Sequence, residues 1–329
     1  MSVTIARCAE ADVADVVRFL DEEWKRGHVL VTSRALLDWQ YRNADGGYSF
    51  LVARQSGEVV GLLGYIATRR YDPSLAGANV LWLTTWKVKT EASVAALGLS
   101  LLQRVRTAEP HVALGALGLN PATCAIYSTL GFRVGELEHY AVNRSGAGAT
   151  TSSSISAVDA TTRADFDALT ISSGAAVAPR KTARYFHDRY VAHPFYAYRV
   201  VCLRGGEIPV GLLATRVAEH EGRRALRIVD FLGEPAVLGQ CGGVIQSMLR
   251  DHDAVHADVY NIGIDAAVFE HAGFRRIDPD GAEIVPDHFE PFEARNVRLF
   301  FAVHGATDVM LFKGDADQDR PNRIADVTG

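Results

Sequence analysis

The sequence predicts an α+β protein made of two tandem copies of one unit, each a mixed, mostly antiparallel sheet flanked by helices. Three observations carry this expectation. The chain has 329 residues, and one domain per ~100–200 residues gives two domains. Apolar periodicity alternates between short strand-like and helix-like stretches rather than following one period. The third is an internal repeat in constant order. Ile5 and Ile155 open the halves, and Val60-Gly-Leu-Leu63 recurs as Val210-Gly-Leu-Leu213. Tyr127-Ser-Thr-Leu-Gly-Phe132 recurs as Phe269-Glu-His-Ala-Gly-Phe274, and Tyr41 and Tyr190 each precede a matching hairpin. Residues 144–154, RSGAGATTSSS, are small, polar and aperiodic, which marks a linker. The expected domains are therefore 1–143 and 155–329.

The first copy can be taken in order. Residues 3–7 read as a strand, and Glu10 to Trp24 as an amphipathic helix with Val13, Val16, Val17 and Leu20 on one face. A second helical piece runs from Ser33 to Tyr41. Phe50 to Arg54 and Val59 to Thr68 are strands joined at Gln55-Ser-Gly57, a hairpin signal. Val80 to Lys89 is a long strand. Thr90 can cap a helix whose Val94, Leu97, Leu101 and Val105 share a face. Ala113 to Leu119 is a buried strand that stops at Asn120-Pro121, an N-cap followed by the residue suited to the first helical position. Ala122, Ile126 and Leu130 are expected to form that helix's apolar face, Gly131 to end it and Phe132 to start the next strand.

Composition excludes several classes. Net charge is −5 and the isoelectric point about 6.1, which gives no basic surface for nucleic acid or acidic lipid. The four cysteines are far apart without a C-x-x-C and read as reduced core thiols. The first residues lack a basic stretch followed by an apolar one, and no apolar run approaches the ~20 residues of a membrane helix. A cytoplasmic protein, monomer or homodimer, is expected.

Asn120, then Tyr127, then Gly131-Phe132 resembles the closing motif of the GNAT superfamily of acyl-CoA-dependent N-acyltransferases. The resemblance implies an acetyl-CoA or other short acyl-CoA co-substrate, no metal, and direct attack by an amine. It also implies that the Tyr127 hydroxyl faces the sulfur of coenzyme A and protonates the leaving thiolate. The family's pyrophosphate loop aligns with Ser93-Val-Ala-Ala96-Leu-Gly98, where Ala96 and Gly98 stand for the two glycines and Ser93 for the basic residue. Lys87 and Lys89 are candidates for the charge that Ser93 lacks. Trp86-Lys-Val88 ends the strand whose backbone is implied to pair with the pantetheine arm, and Asn120 is a secondary cofactor contact. In the second copy, Phe269 stands at the position of Tyr127 and Ile262 at that of Asn120, so the first copy is the expected cofactor site.

His28 is the candidate base, since an imidazole titrates near ~6.5. Asp230, Glu138 and His139 are its rivals. Two further stretches, His28-Val-Leu with Leu37-Asp-Trp-Gln-Tyr41, and Lys313-Gly-Asp-Ala-Asp-Gln-Asp-Arg-Pro-Asn322, resemble bacterial tandem-GNAT proteins of surface-polysaccharide sugar biosynthesis. That resemblance implies a nucleotide-linked amino sugar as acceptor, with Gln40, Tyr41 and Asp230 as acceptor contacts. A non-catalytic acyl-CoA sensor on the same scaffold is the alternative. Asp315, Asp317, Asp319 and Asp326 mimic a calcium loop, but Arg320 replaces the glycine such a loop needs at its sixth position, so no metal site is expected.

Overall fold

The computed structural model describes residues 2–90, 96–144, 154–171, 177–287, 292–319 and 322. In the first half, β1 (Val3–Cys8) leads into α1 (Val13–Phe19), which a π turn extends to Trp24. Next come α2 (Val29–Thr32) and α3 (Arg34–Tyr41), capped by His28 and Ser33. The hairpin of β2 (Tyr48–Gln55) and β3 (Glu58–Ala67) closes through Ser56 and Gly57, both at positive φ (52° and 88°), as a two-residue turn that follows the strand twist requires. Then follow β4 (Val80–Val88), α4 (Leu97–Val105), β5 (Ala113–Leu119), α5 (Pro121–Thr129), β6 (Arg133–Glu136) and β7 (Glu138–Asn143).

The second half repeats the order. It contains β8 (Ile155–Asp159), α6 (Arg163–Asp167), α7 (Ala183–Phe186), the hairpin β9 (Arg199–Gly205) and β10 (Ile208–His220), and β11 (Arg223–Gly233). After these come α8 (Pro235–Gly239), α9 (Gly242–Asp251), β12 (Ala254–Ile262), α10 (Ala266–His271), β13 (Arg275–Arg276), β14 (Phe300–His304) and β15 (Leu311–Phe312). No helix among the described residues is long and apolar enough to cross a membrane.

Two mixed sheets result, in the orders β1-β2-β3-β4-β5-β14-β6 and β13-β7-β12-β11-β10-β9-β8. Only the pairs β4/β5 and β11/β12 within them are parallel. The sheets do not divide where the chain was expected to. Strand β7, from the expected first domain, lies in the second sheet, and β14, from the second, lies between β5 and β6 of the first. The cause is local. Leu137 alone separates β6 from β7, and one residue cannot reverse a strand, so the chain runs straight on into the other sheet. Leu137 pins the crossing by donating its N–H to the Leu299 carbonyl, 2.8 Å. Of the expected linker, only Arg144 and Ser154 are among the described residues.

The first sheet is covered on both faces. Leu83, Ala116, Leu97, Leu101 and Tyr127 share the core under α4 and α5. Trp82, Leu117, Phe301 and Ala316 pack with α1, α2 and α3 on the opposite side.

Candidate active site

The site begins with a divergence of two parallel strands. β4 and β5 pair only from Val80–Leu83 against Ala113–Ala116. Beyond that, β4 carries one extra residue relative to β3 at Thr84-Thr85 and keeps pairing with β3 alone. Gly64 permits this bulge: a Cβ there would lie 2.8 Å from Thr84 Oγ1 and 2.6 Å from a Phe50 ring carbon. A bulge bends its strand and leaves backbone groups without ladder partners. The gap between the strands opens into a cavity of about 770 Å³. Its walls include Thr84, Trp86 and Val88 from β4, Gly118 and Leu119 from β5, Ala96 to Leu99 at the start of α4, and Asn120, Thr123, Ile126 and Tyr127 from α5.

Each expected site residue can now be placed. Tyr127 is buried (5% exposed) yet lines this cavity, edge-on to Trp86 and Phe132 at 5.7 and 5.2 Å between ring centroids. Its hydroxyl takes no hydrogen bond among the described residues, and burial pushes the phenol's pKa upward, so it holds its proton at neutral pH. Asn120 caps α5 by accepting from the Ala122 N–H, 3.0 Å, and also reaches the cavity wall. Trp86, Val88, Ala96 and Gly98 line the same space. Ala96 sits at φ +58°, the left-handed region that favours glycine, and forms the N-cap of α4. Gly98 lies against the indole: a Cβ there would be 3.3 Å from Trp86 Nε1. Ser93 lies outside the described residues. Lys87 and Lys89 do not line the cavity; strand alternation turns both away from the face that carries Trp86 and Val88, and Lys89 pairs with Glu23 at 3.5 Å.

Other expectations are corrected. The helical face Ala122/Ile126/Leu130 is not the buried one: Ile126 is 51% exposed, because α5 packs by its Tyr127 edge and leaves Ile126 on the cavity rim. The helix expected from residue 90 starts, among the described residues, at Leu97. His28 is 1% exposed and caps α2, its Nδ1 accepting from the Leu30 N–H at 3.1 Å, and it does not reach the cavity wall. Gln40 and Tyr41 stand behind the wall. Gln40 Nε2 donates to Tyr41 Oη (2.8 Å), which donates to Thr84 Oγ1 (2.9 Å). His139, in β7, is held by Asp258 at 3.0 Å, and Glu138 pairs with Arg276 at 2.9 Å, both in the second sheet. The cap matching Asn120 is Asp265, not Ile262, because the second copy's turn before α10 is longer.

Asp230 is the largest correction. It is fully buried, 2.5 Å from Lys181 Nζ and 2.7 Å from the Tyr190 hydroxyl, which donates to it. It stands where the second sheet has its own divergence. β11 and β12 pair only from Arg224–Ile228 against Ala254–Val259, with an extra residue at Val229. Here the gap is filled by the chain itself. Strand β15 pairs with Asn261 and Ile262, and the Gly314 N–H donates to the Val229 carbonyl at 2.8 Å. Only glycine fits, since a Cβ at 314 would lie 2.4 Å from Tyr190 Oη. Buried charges fasten the segment. Asp315 meets Lys181 (3.0 Å), Asp319 meets Arg216 (2.9 Å), and Arg189 donates to the Gly314 and Ala316 carbonyls (3.1 and 3.2 Å). The segment then crosses to the first half. Asp317, Gln318 and Asn322 line the 770 Å³ cavity, and the Asn322 carbonyl accepts from the Val29 N–H at 2.8 Å. From the sequence this stretch reads as a resemblance and as a rejected calcium loop, and Asp317, Gln318, Thr84 and Trp24 have no place at the cavity. Asp317 lies 277 residues from Gln40, its partner at 3.4 Å, and no local signal spans that separation.

Solved structures share this architecture. A GCN5-related N-acetyltransferase from Anabaena variabilis superposes with TM-score 0.54 at 11% identity, covering 91% of this chain and 72% of that one. A probable N-acyltransferase from Enterococcus faecalis gives 0.55 at 7%, covering 92% and 72%. A GCN5-related N-acetyltransferase from Kribbella flavida gives 0.52 at 13%, covering 92% and 70%. The fold is that of the GCN5-related N-acetyltransferases. No family model and no curated protein matches the sequence. In this GNAT-type fold, the first sheet carries the open gap and the second a gap closed by its own chain.

Proposed function

We propose that the chain is an acyl-CoA-dependent N-acyltransferase that moves an acetyl or short acyl group to the amine of a small acceptor, by direct attack, at the gap between β4 and β5. The observation that carries this reading is the pair of gaps. The second accepts an extended peptide through a backbone hydrogen bond to its bulge, Gly314 to Val229. The first has the same divergence and bulge, so it suits an extended, amide-bearing chain, which pantetheine is. The N-terminus of α4, opened by Ala96 in its left-handed conformation, offers N–H groups for the pyrophosphate. The Tyr127 phenol, kept protonated by burial, gives its proton to the departing thiolate. A nucleotide-linked amino sugar is the acceptor class that the sequence resemblance implies.

The test is calorimetry with acetyl-CoA, followed by free-thiol release with a panel of amino sugars. Tyr127→Phe leaves no buried partner stranded, so its melting temperature should match wild type while turnover falls by about 10²-fold. An unchanged turnover removes Tyr127 from the chemistry. Binding without thiol release for every amine would make the protein a sensor instead.

A further inference from the structure

We propose that a second cavity, beside the C-terminal end of α3, binds a small aromatic carboxylate between Arg42 and Arg70. The inference goes beyond the acyltransferase reading and does not depend on it. This cavity, of about 660 Å³, shares no lining residue with the open gap. It lies where β3 ends and the chain turns through Thr68 to Arg70. Ala67 on its wall pairs with Leu81 near the start of β4, whereas the gap takes Thr84, Trp86 and Val88 from that strand's other end.

The last carbonyls of a helix have no intrahelical donor, and Arg70 supplies donors to those of α3. Its Nε donates to the Trp39 carbonyl at 3.0 Å, its Nη2 to the Asp38 carbonyl at 3.1 Å and its Nη1 to the Arg42 carbonyl. These dipoles orient the guanidinium but carry no net charge. Among the described residues no carboxylate pairs with Arg70, and burial lowers its pKa with no acid to offset the effect. The acids on the cavity wall are already committed. Asp45 is held by Arg7 at 2.7 Å, Glu109 by Arg69, and Asp188 by Arg163 at 2.7 Å. Arg42 has one ion-pair partner among the described residues, Glu10 at 3.3 Å, and Arg34 holds that carboxylate as well. The Arg42 side chain is 48% exposed, so it can turn to a ligand without disturbing the core. One fixed cation and one adjustable cation therefore face the cavity with charge to spare.

The rest of the wall suits a ring. Trp39, Tyr65 and Tyr71 line it, and the Trp39 and Tyr71 centroids are 5.8 Å apart. Arg189, which does not line the cavity, stands 5.3 and 5.6 Å from those two centroids. It is 2% exposed, it donates to the Gly314 and Ala316 carbonyls, and its Nε and Nη1 have no acceptor among the described residues. Its charge is thus a second buried positive charge near the aromatic wall, unanswered by a carboxylate among the described residues. The guanidinium groups select a carboxylate over a neutral group, and the rings select an aromatic body over an aliphatic one.

The experiment is calorimetry on the full chain with 2-naphthoate, its neutral counterpart 2-naphthamide, and acetate, which keeps the charge without the ring. Wild type should bind one 2-naphthoate at least about tenfold more tightly than either comparison compound. Raising sodium chloride from about 50 to about 300 mM should weaken 2-naphthoate binding severalfold and leave 2-naphthamide unchanged. Arg42→Gln, an exposed change, should keep the wild-type melting temperature while weakening 2-naphthoate about tenfold and leaving 2-naphthamide unchanged. Arg42→Lys should restore part of the affinity. The absence of 2-naphthoate binding overturns the proposal, as does equal binding of 2-naphthamide or acetate, or an unchanged 2-naphthoate affinity in Arg42→Gln. So does a loss of affinity in Arg42→Gln that comes with a matching fall in melting temperature, which would make Arg42 structural. Failure of wild type to bind acetyl-CoA would bear on the acyltransferase reading alone.

Discussion

Replacing Lys181 by Met tests how the segment carrying Asp317 is held. Lys181 is 5% exposed, and its Nζ lies 2.5 Å from Asp230 and 3.0 Å from Asp315, both fully buried. Methionine keeps most of the stem and removes the charge. Two carboxylates would then face one vacated point without a counter-ion. Breaking a buried pair by removing one partner costs about 3–5 kcal/mol, a large share of the ~5–15 kcal/mol that holds a domain folded. Urea denaturation at pH 7.5 should show that loss as a lower midpoint with an unchanged slope. The pH dependence has a fixed sign. Burial already raises the Asp315 carboxyl to about 6 despite Lys181. A carboxyl whose folded pKa is raised binds its proton more tightly when folded, so it adds stability as pH falls through that value. Without the lysine it rises further, so the gap between variant and wild type should narrow from pH 7.5 to pH 5. Adding Asp315→Asn to Lys181→Met should recover part of the loss at pH 7.5. A loss below about 1 kcal/mol, the range of an exposed pair, would mean the two carboxylates are hydrated, and the anchoring account of the tail would fail.

Two further outcomes follow from the same coordinates. Gly98→Leu forces Trp86 from the cavity wall; overpacking of this kind costs about 1–3 kcal/mol, so acetyl-CoA affinity measured by calorimetry should fall about tenfold or more. His193 accepts two backbone N–H groups at Nδ1, from Phe195 (3.2 Å) and Tyr196 (3.0 Å), and burial together with Arg189 pushes its pKa down to about 3. Its contribution is complete above the unfolded value near 6.5 and is lost as pH falls toward 3, roughly 2 kcal/mol by pH 5. Melting curves of His193→Phe should lack this loss.

What the sequence disclosed was local. Asn120-Pro121 and Gly131 bound one helix, and Ser56-Gly57 makes a turn, because capping and positive φ depend on a few adjacent residues. The motif around Tyr127 lies on the wall of the open cavity, although helical periodicity put Ile126 and not Tyr127 inside. Periodicity assumes a helix packed by one apolar stripe, and α5 instead borders a cavity. The strand exchange left a trace in the missing turn at Leu137, but which sheet β7 joins is settled by pairings more than 100 residues away, such as Tyr140 with Val259. Asp230 illustrates the same limit. A lone aspartate at a strand end reads as a ligand contact until Lys181, Tyr190 and the distant Asp315 are seen to surround it.

The exchange and the tail together explain why, of the two described gaps, one stays open and one is closed. Strand β14 completes the first sheet and β7 the second. Without the other half, each sheet would present unpaired N–H and C=O groups along β5 or β12, a cost that the backbone avoids by pairing. The halves are therefore bound as a unit, and the second gap can give up a ligand without losing its purpose. Lys181, Arg189 and Arg216 are spent on Asp315, two carbonyls and Asp319 of the chain's own tail. A gap that holds its own chain acts as an anchor, and the residue between its two fastened aspartates, Asp317, lies on the wall of the gap that stays open.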